Sequence, residues 1–311
     1  MKTAFLFPGQ GSQKVGMGLD LFQETEVGKK YFNSANELME LDLKDIILNG
    51  PLEKLTETRF TQPAIYLISV ILGTLLCNKG LIPTTVAGHS LGEYSALTIA
   101  GAITFDAGFE LVKIRAESMQ KAGEFMNGTM AAIIGLDQDE IENVCVQASE
   151  IGVVVPANFN APGQIVISGE TAAVKSAMKY AKDSGARLVK KLNVSGAFHS
   201  PLMISAKDAL IKKIKSTNIA EANLPVYCNV TAKPITQSNE IKKRLIQQLD
   251  CAVLWQDTVT NMVKNKITKM VEVGPGRVLQ GLNKRINPTI ISSGIETNID
   301  VNSYANEHIR K

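Results

Sequence analysis

Residues 88–92 read Gly88-His89-Ser90-Leu91-Gly92, a serine between two glycines at the point where an extended segment meets a helical pattern. A turn of this kind presents a serine hydroxyl on a sharp elbow. A side chain at either glycine would crowd the strand against the helix. The N-terminal amides of the helix, including that of Leu91, face the space above the serine oxygen and can hold an oxyanion there. The stretch predicts an α/β fold with a nucleophilic serine. The alternative, a glycine-rich connector with an exposed serine, is disfavoured by the strand before it and the helix after it.

Strands and helices alternate on both sides of the elbow. An apolar strand at 1–7 opens the chain and a glycine-rich loop follows it. The later segments are helices at 19–39, 63–79, 91–100, 106–122 and 201–216 and one through 261–264, with strands at 84–87, 226–229 and 269–273. This alternation predicts a large parallel-sheet α/β core, which we expect to be hydrolase-like. The polar tail beyond residue 288 gives no interpretable pattern.

The middle of the chain has a different order. Strand patterns at 130–134, 153–158, 164–168 and 187–194 are interleaved with helical patterns at 137–149 and 171–184. The order βαββαβ is that of a ferredoxin-like unit. We therefore expect 128–195 to form a small inserted ferredoxin-like domain, with 1–127 and 196–311 as the discontinuous catalytic core.

The composition is that of an ordinary soluble protein, with 311 residues of which 45% are hydrophobic and 20% charged. A net charge of +3 is too small to indicate nucleic-acid binding, but it suits substrates with phosphates or carboxylates. The four cysteines form no C-x-x-C pair, which predicts reduced thiols in the cytoplasm and neither zinc nor a disulfide framework. The first apolar run is too short for a signal peptide, and the apolar stretch 64–77 is shorter than the roughly 20 residues that cross a bilayer. We expect a buried helix there.

A serine needs a base to become a good nucleophile at neutral pH. The chain has three histidines. His89 is the neighbour of Ser90 on the elbow and points away from it, and His308 lies in the polar tail. His199 remains, at the junction where the inserted domain returns to the core, and such junctions often form clefts. His199 is therefore the candidate base.

Arg115 is unusual because it falls on the apolar side of its helix. Its neighbours by helical angle are Gly108, Leu111, Val112 and Met119. A buried guanidinium needs a partner. Either it snorkels or forms a structural salt bridge, or it grips a substrate carboxylate with its planar fork.

Five motifs together resemble one family of enzymes. They are residues 7–13 (FPGQGSQ), 88–93 (GHSLGE), Arg115, 196–200 (GAFHS) and 272–276 (EVGPG). In this order and spacing, over residues 3–286, they look like the malonyl-CoA:acyl carrier protein transacylases of type II fatty acid synthesis, within the acyltransferase-domain family. The turn at 160–164 is also similar to the family pattern, and we expect it to be structural first.

The resemblance implies a role for each catalytic position. Ser90 would carry the acyl group and His199 would act as its base. The backbone amides of Gln10 and Leu91 would form the oxyanion hole. No aspartate completes a triad in this family, and the main-chain carbonyl of Gln248 would orient the histidine instead.

The resemblance also implies the substrates. Arg115 would pair with the malonyl carboxylate of malonyl-CoA, and Phe198, before the histidine, would crowd an α-methyl group. The acceptor would be the phosphopantetheine thiol of an acidic acyl carrier protein, with no bound cofactor and no metal. Four basic residues would dock the carrier, or are ordinary solvated charges: Lys190, Lys191, Lys284 and Arg285. We expect a cytoplasmic monomer that binds neither nucleic acid nor a membrane.

Three other functions compete with malonyl transfer. A free-standing acyltransferase of a polyketide synthase would share the chemistry and differ in its carrier. A serine thioesterase of the α/β-hydrolase type would place an acid between serine and histidine and would lack the insert. A silent scaffold would not require Ser90, His199 and Arg115 together.

Overall fold

The computed structural model describes residues 2–194 and 196–309, so Ser195, the last residue of the predicted insert, lies outside the described residues. Within that part of the chain ten strands form two separate sheets. The strands are β1 (Thr3–Phe7), β2 (Thr85–Gly88), β3 (Gly128–Ile134), β4 (Val154–Ala161), β5 (Gln164–Glu170), β6 (Leu188–Lys191), β7 (Val226–Tyr227), β8 (Pro234–Ile235), β9 (Lys269–Val273) and β10 (Ile291–Ile295). The α-helices described are α1 (Leu19–Glu24), α2 (Glu26–Met39), α3 (Leu43–Asn49), α4 (Leu52–Thr56), α5 (Thr58–Asn78), α6 (Gly92–Ile99), α7 (Phe105–Phe125), α8 (Gln138–Ala148), α9 (Thr171–Asp183), α10 (Lys207–Ser216), α11 (Ser238–Gln248), α12 (Trp255–Lys264), α13 (Val278–Ile286) and α14 (Asn298–Ile309).

The larger sheet has the strand order β10-β9-β1-β2-β7-β8. All its neighbours are parallel except β7 and β8, so the predicted parallel α/β core is confirmed. The pairing of β1 with β2 ends at Phe7 and Gly88, and the His89 N–H donates to the Phe7 carbonyl at 3.0 Å. The glycine-rich loop after β1 and the serine elbow after β2 therefore leave the sheet side by side, at the edge where parallel sheets bind ligands.

The second sheet is antiparallel and has the order β4-β5-β3-β6. Its strands and the helices α8 and α9 follow one another in the predicted order, strand-helix-strand-strand-helix-strand. A capping box at Asp137 and Glu140 starts α8, since each side chain accepts a hydrogen bond from the other's backbone N–H. Only 188–191 of the predicted strand 187–194 forms strand pairs.

The antiparallel sheet is attached to the core through β4. The Phe159 N–H donates to the Val253 carbonyl, and the Val253 N–H donates to the Ala157 carbonyl, both at 2.9 Å. Val253 follows the α11 segment that also contains Gln248. This pairing places the face of β4 that carries Asn158 and Asn160 opposite the serine elbow, and a cleft forms between them.

The helix α5 runs through the interior of the core. It begins five residues before the predicted helix and contains Pro63 in its first turns. Among the described residues, α5 is long and apolar enough to cross a membrane by length and composition, and 83% of its apolar window is buried inside the fold. That burial matches the buried helix predicted for 64–77.

Other segments also differ from the predictions. The helix expected at 19–39 is two helices, because Thr25 is extended and its hydroxyl accepts a hydrogen bond from the Gly28 N–H, which starts a new helix. The helix expected at 201–216 begins as a 3₁₀ turn, Pro201–Ala206. The uninterpreted tail forms an edge strand, β10, and the terminal helix α14. Ser292, Ser293 and Gly294 make up the middle of β10, and its burial does not alternate along the strand, so the sequence carries no strand pattern there.

Gly88 should not tolerate a side chain. A Cβ there would lie 1.8 Å from the Gly92 carbonyl carbon, within backbone that cannot move aside. We expect Gly88→Ala to lower the free energy of unfolding by about 3 kcal/mol or more. Gly281→Ala in α13 is the matched control. Beyond its chain neighbours and the backbone of its own helix, a Cβ there would have no atom of the described residues within 4 Å, so it should stabilise the helix by about 0.5 to 1 kcal/mol. Urea unfolding of both variants measures the difference, and equal stability would contradict this packing.

Candidate active site

Ser90 lies on a strained elbow that two side chains hold from opposite sides. Its φ is 52°, in the left-handed region that a non-glycine residue rarely adopts. The Ser90 N–H donates to Asn229 Oδ1 at 2.6 Å, and the Ser90 carbonyl accepts from Gln248 Nε2 at 2.9 Å. Asn229 Nδ2 also donates to the Gly88 carbonyl at 2.7 Å. These bonds fix the turn that exposes the serine oxygen.

His199 lies directly against the serine. Its Nε2 is 2.8 Å from Ser90 Oγ, and its Nδ1 is 2.9 Å from the Gln248 carbonyl and 3.2 Å from the Cys251 carbonyl. Both carbonyls are acceptors only, so Nδ1 carries the proton and Nε2 is left to accept the serine proton. The structure therefore brings together Ser90, His199 and the Gln248 carbonyl.

His199 is neutral in this site. Burial lowers the pKa of His199 to about 3, and the nearby Arg115 cation is the second cause. A neutral imidazole at physiological pH can remove the serine proton without first losing its own.

We expect the base to remain available well below pH 6.5, where a free histidine is protonated. A small neutral fluorophosphonate modifies Ser90, and the rate can be measured from about pH 4.5 to 8. We expect no fall of this rate near pH 6.5; such a fall on the acid side of the profile is its acid limb. Arg115→Gln should move the limb towards 6.5, because one cause of the lowered pKa is removed. Glu93→Gln is the control, since burial raises the pKa of Glu93 to about 7. A wild-type limb near 6.5 that survives in Glu93→Gln would contradict the lowered pKa of His199.

Gln10 and Leu91, whose backbone amides are the predicted oxyanion donors, both line the cleft beside Ser90. Within 2–194 and 196–309 neither amide donates a hydrogen bond to a protein acceptor. Leu91 directly precedes α6, so the positive end of the helix dipole adds to its amide. The two donors can bind an oxyanion that forms at the serine.

Arg115 projects from α7 into the interior below the serine, and only 1% of its surface is exposed. Its Nη1 donates to Gln62 Oε1 at 2.6 Å, and its Nη2 donates to Ser90 Oγ at 3.0 Å and to Gln248 Oε1 at 3.1 Å. The guanidinium also lies over the Tyr94 ring, 5.6 Å from its centroid. No carboxylate forms a salt bridge with it among the described residues. The alternative of a structural salt bridge is therefore not seen among those residues, and the cation at Ser90 Oγ can attract an anionic group.

The cleft above these groups has a volume of about 470 Å³. Its walls are apolar near the serine, formed by side chains of α7, the antiparallel sheet, the segment after β6 and α13: Met119, Met130, Val166, Leu192, Phe198, Val278 and Leu282. Asn158 and Asn160 of β4 supply polar groups on the far wall. His89 points away from Ser90, as predicted, and its Nε2 is 2.8 Å from Asn160 Oδ1.

The four basic docking candidates are exposed and lie on two elements. Lys190 and Lys191 are on β6, and Lys284 and Arg285 end α13. None of them lines the cleft. Lys191 directly precedes the cleft-lining Leu192, and Lys284 is two residues after the cleft-lining Leu282. Arg285 donates to Gln164 Oε1 across the mouth, so it links α13 to the antiparallel sheet.

Four buried polar residues of the site were not identified from the sequence. They are Gln62, Glu93, Asn229 and the side chain of Gln248. Of the four, Glu93 could have been identified from the sequence, because a carboxyl in the first turn of a buried helix next to the serine needs a hydrogen-bond partner. The others lie in apolar or turn segments whose patterns do not indicate a role.

The comparisons with known proteins agree with this geometry. The acyl transferase domain family matches residues 4–297. The malonyl CoA-acyl carrier protein transacylases of Bacillus subtilis and Escherichia coli K12 are each 41% identical to this chain, over 300 and 293 residues. These matches cover 95% of both chains for the Bacillus protein, and 94% of this chain and 95% of the other for the Escherichia protein.

Solved structures give the same result. An acyl carrier protein S-malonyltransferase from Vibrio cholerae superposes with a TM-score of 0.94 at 40% identity, covering 98% of this chain and 100% of the other. A malonyl-transacylase in complex with its type II polyketide acyl carrier protein superposes with a TM-score of 0.95 at 37% identity, covering 99% and 100%. The chain therefore belongs to the acyl transferase family and, within it, to the malonyl CoA-acyl carrier protein transacylases.

Proposed function

We propose that this enzyme transfers the malonyl group of malonyl-CoA to the phosphopantetheine thiol of an acyl carrier protein, through an ester on Ser90, and so supplies fatty acid synthesis. One observation carries the proposal. Ser90 Oγ lies 2.8 Å from the neutral His199 Nε2 and 3.0 Å from Arg115 Nη2. A base and a cation for the substrate carboxylate thus converge on one nucleophilic oxygen.

In the first half-reaction the malonyl carboxylate binds Arg115 and the thioester carbonyl oxygen faces the amides of Gln10 and Leu91. His199 Nε2 takes the Ser90 proton as Oγ attacks the carbonyl carbon. Each amide donor is expected to lower the barrier by about 3 to 4 kcal/mol. The C–S bond then breaks, the CoA thiolate takes the proton from His199, and malonyl-Ser90 remains.

The second half-reaction repeats these steps in reverse. The carrier thiol gives its proton to His199, the thiolate attacks the malonyl ester, and Ser90 leaves with the proton returned by the imidazole. Because CoA leaves before the carrier enters, the scheme is ping-pong. Phe198 narrows the cleft beside the base, which supports selection against an α-methyl group.

Transfer rather than hydrolysis requires that water be kept from the ester. Five of the groups around the serine are almost fully buried: Gln62, Leu91, Arg115, Phe198 and His199. Arg115 would hold the ester in place through the malonyl carboxylate while this closed lining excludes water from the line of attack.

Intact mass after mixing the protein with malonyl-CoA tests the proposal. A malonyl adduct that disappears when a pantetheinylated carrier protein is added would support it. Free CoA released without an adduct would mean hydrolysis, as in a thioesterase. Neither adduct nor CoA release would reject malonyl-CoA as the donor.

A polyketide carrier is the second candidate acceptor. One of the similar structures is a malonyl-transacylase bound to a polyketide acyl carrier protein. The chemistry at Ser90 would be identical, so only the carrier separates the two functions. Chasing malonyl-Ser90 with fatty acid and polyketide carrier proteins, and comparing kcat/KM, distinguishes them.

We further propose that the two sheets belong to separate units. The hydrolase-like core would comprise residues 1–127 and 196–311, and 128–195 would be a ferredoxin-like subdomain. The order β4-β5-β3-β6 with two crossing helices supports this division.

We also infer a cytoplasmic monomer, with the carrier protein as a transient partner. The four free cysteines support a reducing compartment.

Charge reversal at the mouth of the cleft should affect the carrier alone. We expect Lys284→Glu with Arg285→Glu, or Lys190→Glu with Lys191→Glu, to raise the carrier KM about tenfold by weakening an encounter with an acidic partner. The malonyl-CoA half-reaction should not change. Steady-state kinetics at two salt concentrations measures the effect, and an equal loss in both half-reactions would reject docking at these residues.

A further inference from the structure

Glu93 is a buried carboxyl to which the proposed mechanism gives no part. It lies in the first turn of α6, three residues after the nucleophile, and is 2% exposed. Its Oε2 accepts hydrogen bonds from the Gln248 side-chain Nε2 at 2.7 Å and from the Asn229 N–H at 3.1 Å. Glu93 therefore holds both of the residues that hold the serine elbow.

The Gln248 amide has its orientation fixed by these contacts. Its NH₂ group has two acceptors, Glu93 Oε2 and the Ser90 carbonyl, and its Oε1 accepts from Arg115 Nη2. A rotated amide would turn the NH₂ group towards the guanidinium and its oxygen towards the carboxylate. Both contacts would then be repulsive, since a guanidinium only donates and an ionised carboxylate only accepts.

We propose that Glu93 is a positioning residue that determines specificity for a carboxylated acyl group, because it fixes the Gln248 amide and so holds Arg115 beside Ser90. The inference rests on the proposed function, in which Arg115 binds the malonyl carboxylate. Glu93 touches neither the substrate nor the reacting atoms. It acts through one intermediate side chain.

The contacts of Glu93 favour its ionised form and act against the cost of burying a charge. Burying a carboxyl is costly, and burial raises the pKa of Glu93 to about 7, while the bonds from Gln248 and Asn229 and the Arg115 cation oppose that rise. Polar chains in a buried site stay in place only when each member has its partners. An apolar residue at position 93 would fill the space but leave the Gln248 amide free to rotate.

Glu93 Oε2 holds two residues, Gln248 and Asn229, and we call the contacts through each of them a branch. The two branches allow a matched control. The Gln248 branch reaches Arg115, whereas the Asn229 branch reaches only the backbone of Gly88 and Ser90. Loss of the Asn229 branch should disturb the serine for every acyl donor. Loss of the Gln248 branch should add a defect that only a carboxylated donor experiences.

The test compares two rates in each variant: malonyl-Ser90 formation from malonyl-CoA, and modification of Ser90 by a small neutral fluorophosphonate. We expect Glu93→Ala to lower the ratio of malonyl to fluorophosphonate rates about tenfold, the loss of one charge-assisted hydrogen bond. Gln248→Leu, which keeps the backbone carbonyl for His199, should give the same loss. Glu93→Gln keeps an acceptor and should restore most of the ratio. Asn229→Ala should slow both rates and leave the ratio unchanged.

Other outcomes overturn the inference. If Glu93→Ala slows both rates by the same factor, Glu93 only stabilises the elbow. If Glu93→Ala does not fold, an unchanged ratio in Gln248→Leu rejects the relay by itself. In the Arg115→Ala background Glu93→Ala should not change the ratio further, and an additional loss would show a route that avoids Arg115. Absence of malonyl-Ser90 in the wild type would instead reject the proposed function, before any variant is compared.

Discussion

Ser90→Ala should abolish the malonyl-enzyme and lower transfer by up to about 10⁶-fold, the loss typical when a serine nucleophile is removed from a Ser-His site. The physical reason is that the His199 base and the Arg115 cation converge on Ser90 Oγ. His199→Ala should cost about as much, because an unactivated hydroxyl is a poor nucleophile. The double variant should be little worse than either single one, since the two residues act as a unit.

The measurement is intact mass with malonyl-CoA together with the rate of carrier malonylation. Ser95→Ala is the matched control, because it deletes a buried hydroxyl from α6 that has no hydrogen-bond partner in the part of the chain that the structure describes. It should retain the adduct and the rate. An adduct that persists in Ser90→Ala would assign the nucleophile to another residue and reject the proposed mechanism.

The elbow and its base could be predicted because their signals are local. Two glycines around a serine, a strand before it and a helix after it fall within a short stretch of chain, and a chain with three histidines leaves few candidates for the base. The order of elements in the second sheet was also readable, since each strand and helix carries its own periodicity. The structure confirms this order and the parallel core.

The polar residues that hold the serine elbow in place could not be predicted, because they are distant from one another in sequence. Glu93, Asn229 and Gln248 meet below the serine only after β2, β7 and α11 have packed. Nothing local distinguishes Asn229 from an ordinary turn asparagine. The polar strand β10 was missed for a related reason, since an edge strand needs few apolar residues and its partner, β9, lies outside the segment.

Arg115→Ala should change the substrate preference of the site rather than merely reduce its activity. Removing one partner of a buried, hydrogen-bonded charge pair costs about 2 to 5 kcal/mol, so malonyl transfer should fall by roughly 30- to 4,000-fold. An uncharged acyl group makes no ion pair with Arg115, so its transfer should not fall when the guanidinium is removed. It should even gain, because the pKa of His199 rises when the cation is removed, which makes the imidazole a stronger base.

Half-reaction rates with malonyl-CoA and acetyl-CoA measure this preference. Arg115→Lys is the informative control, since it keeps the charge but has a single ammonium in place of the fork that reaches Gln62, Ser90 and Gln248. We expect it to recover only part of the malonyl rate. A point charge would be sufficient if Arg115→Lys behaved like the wild type, and the planar fork would then have no role. If malonyl preference survived in Arg115→Ala, the carboxylate would have to bind elsewhere in the cleft, and both the clamp and the positioning role of Glu93 would be rejected together.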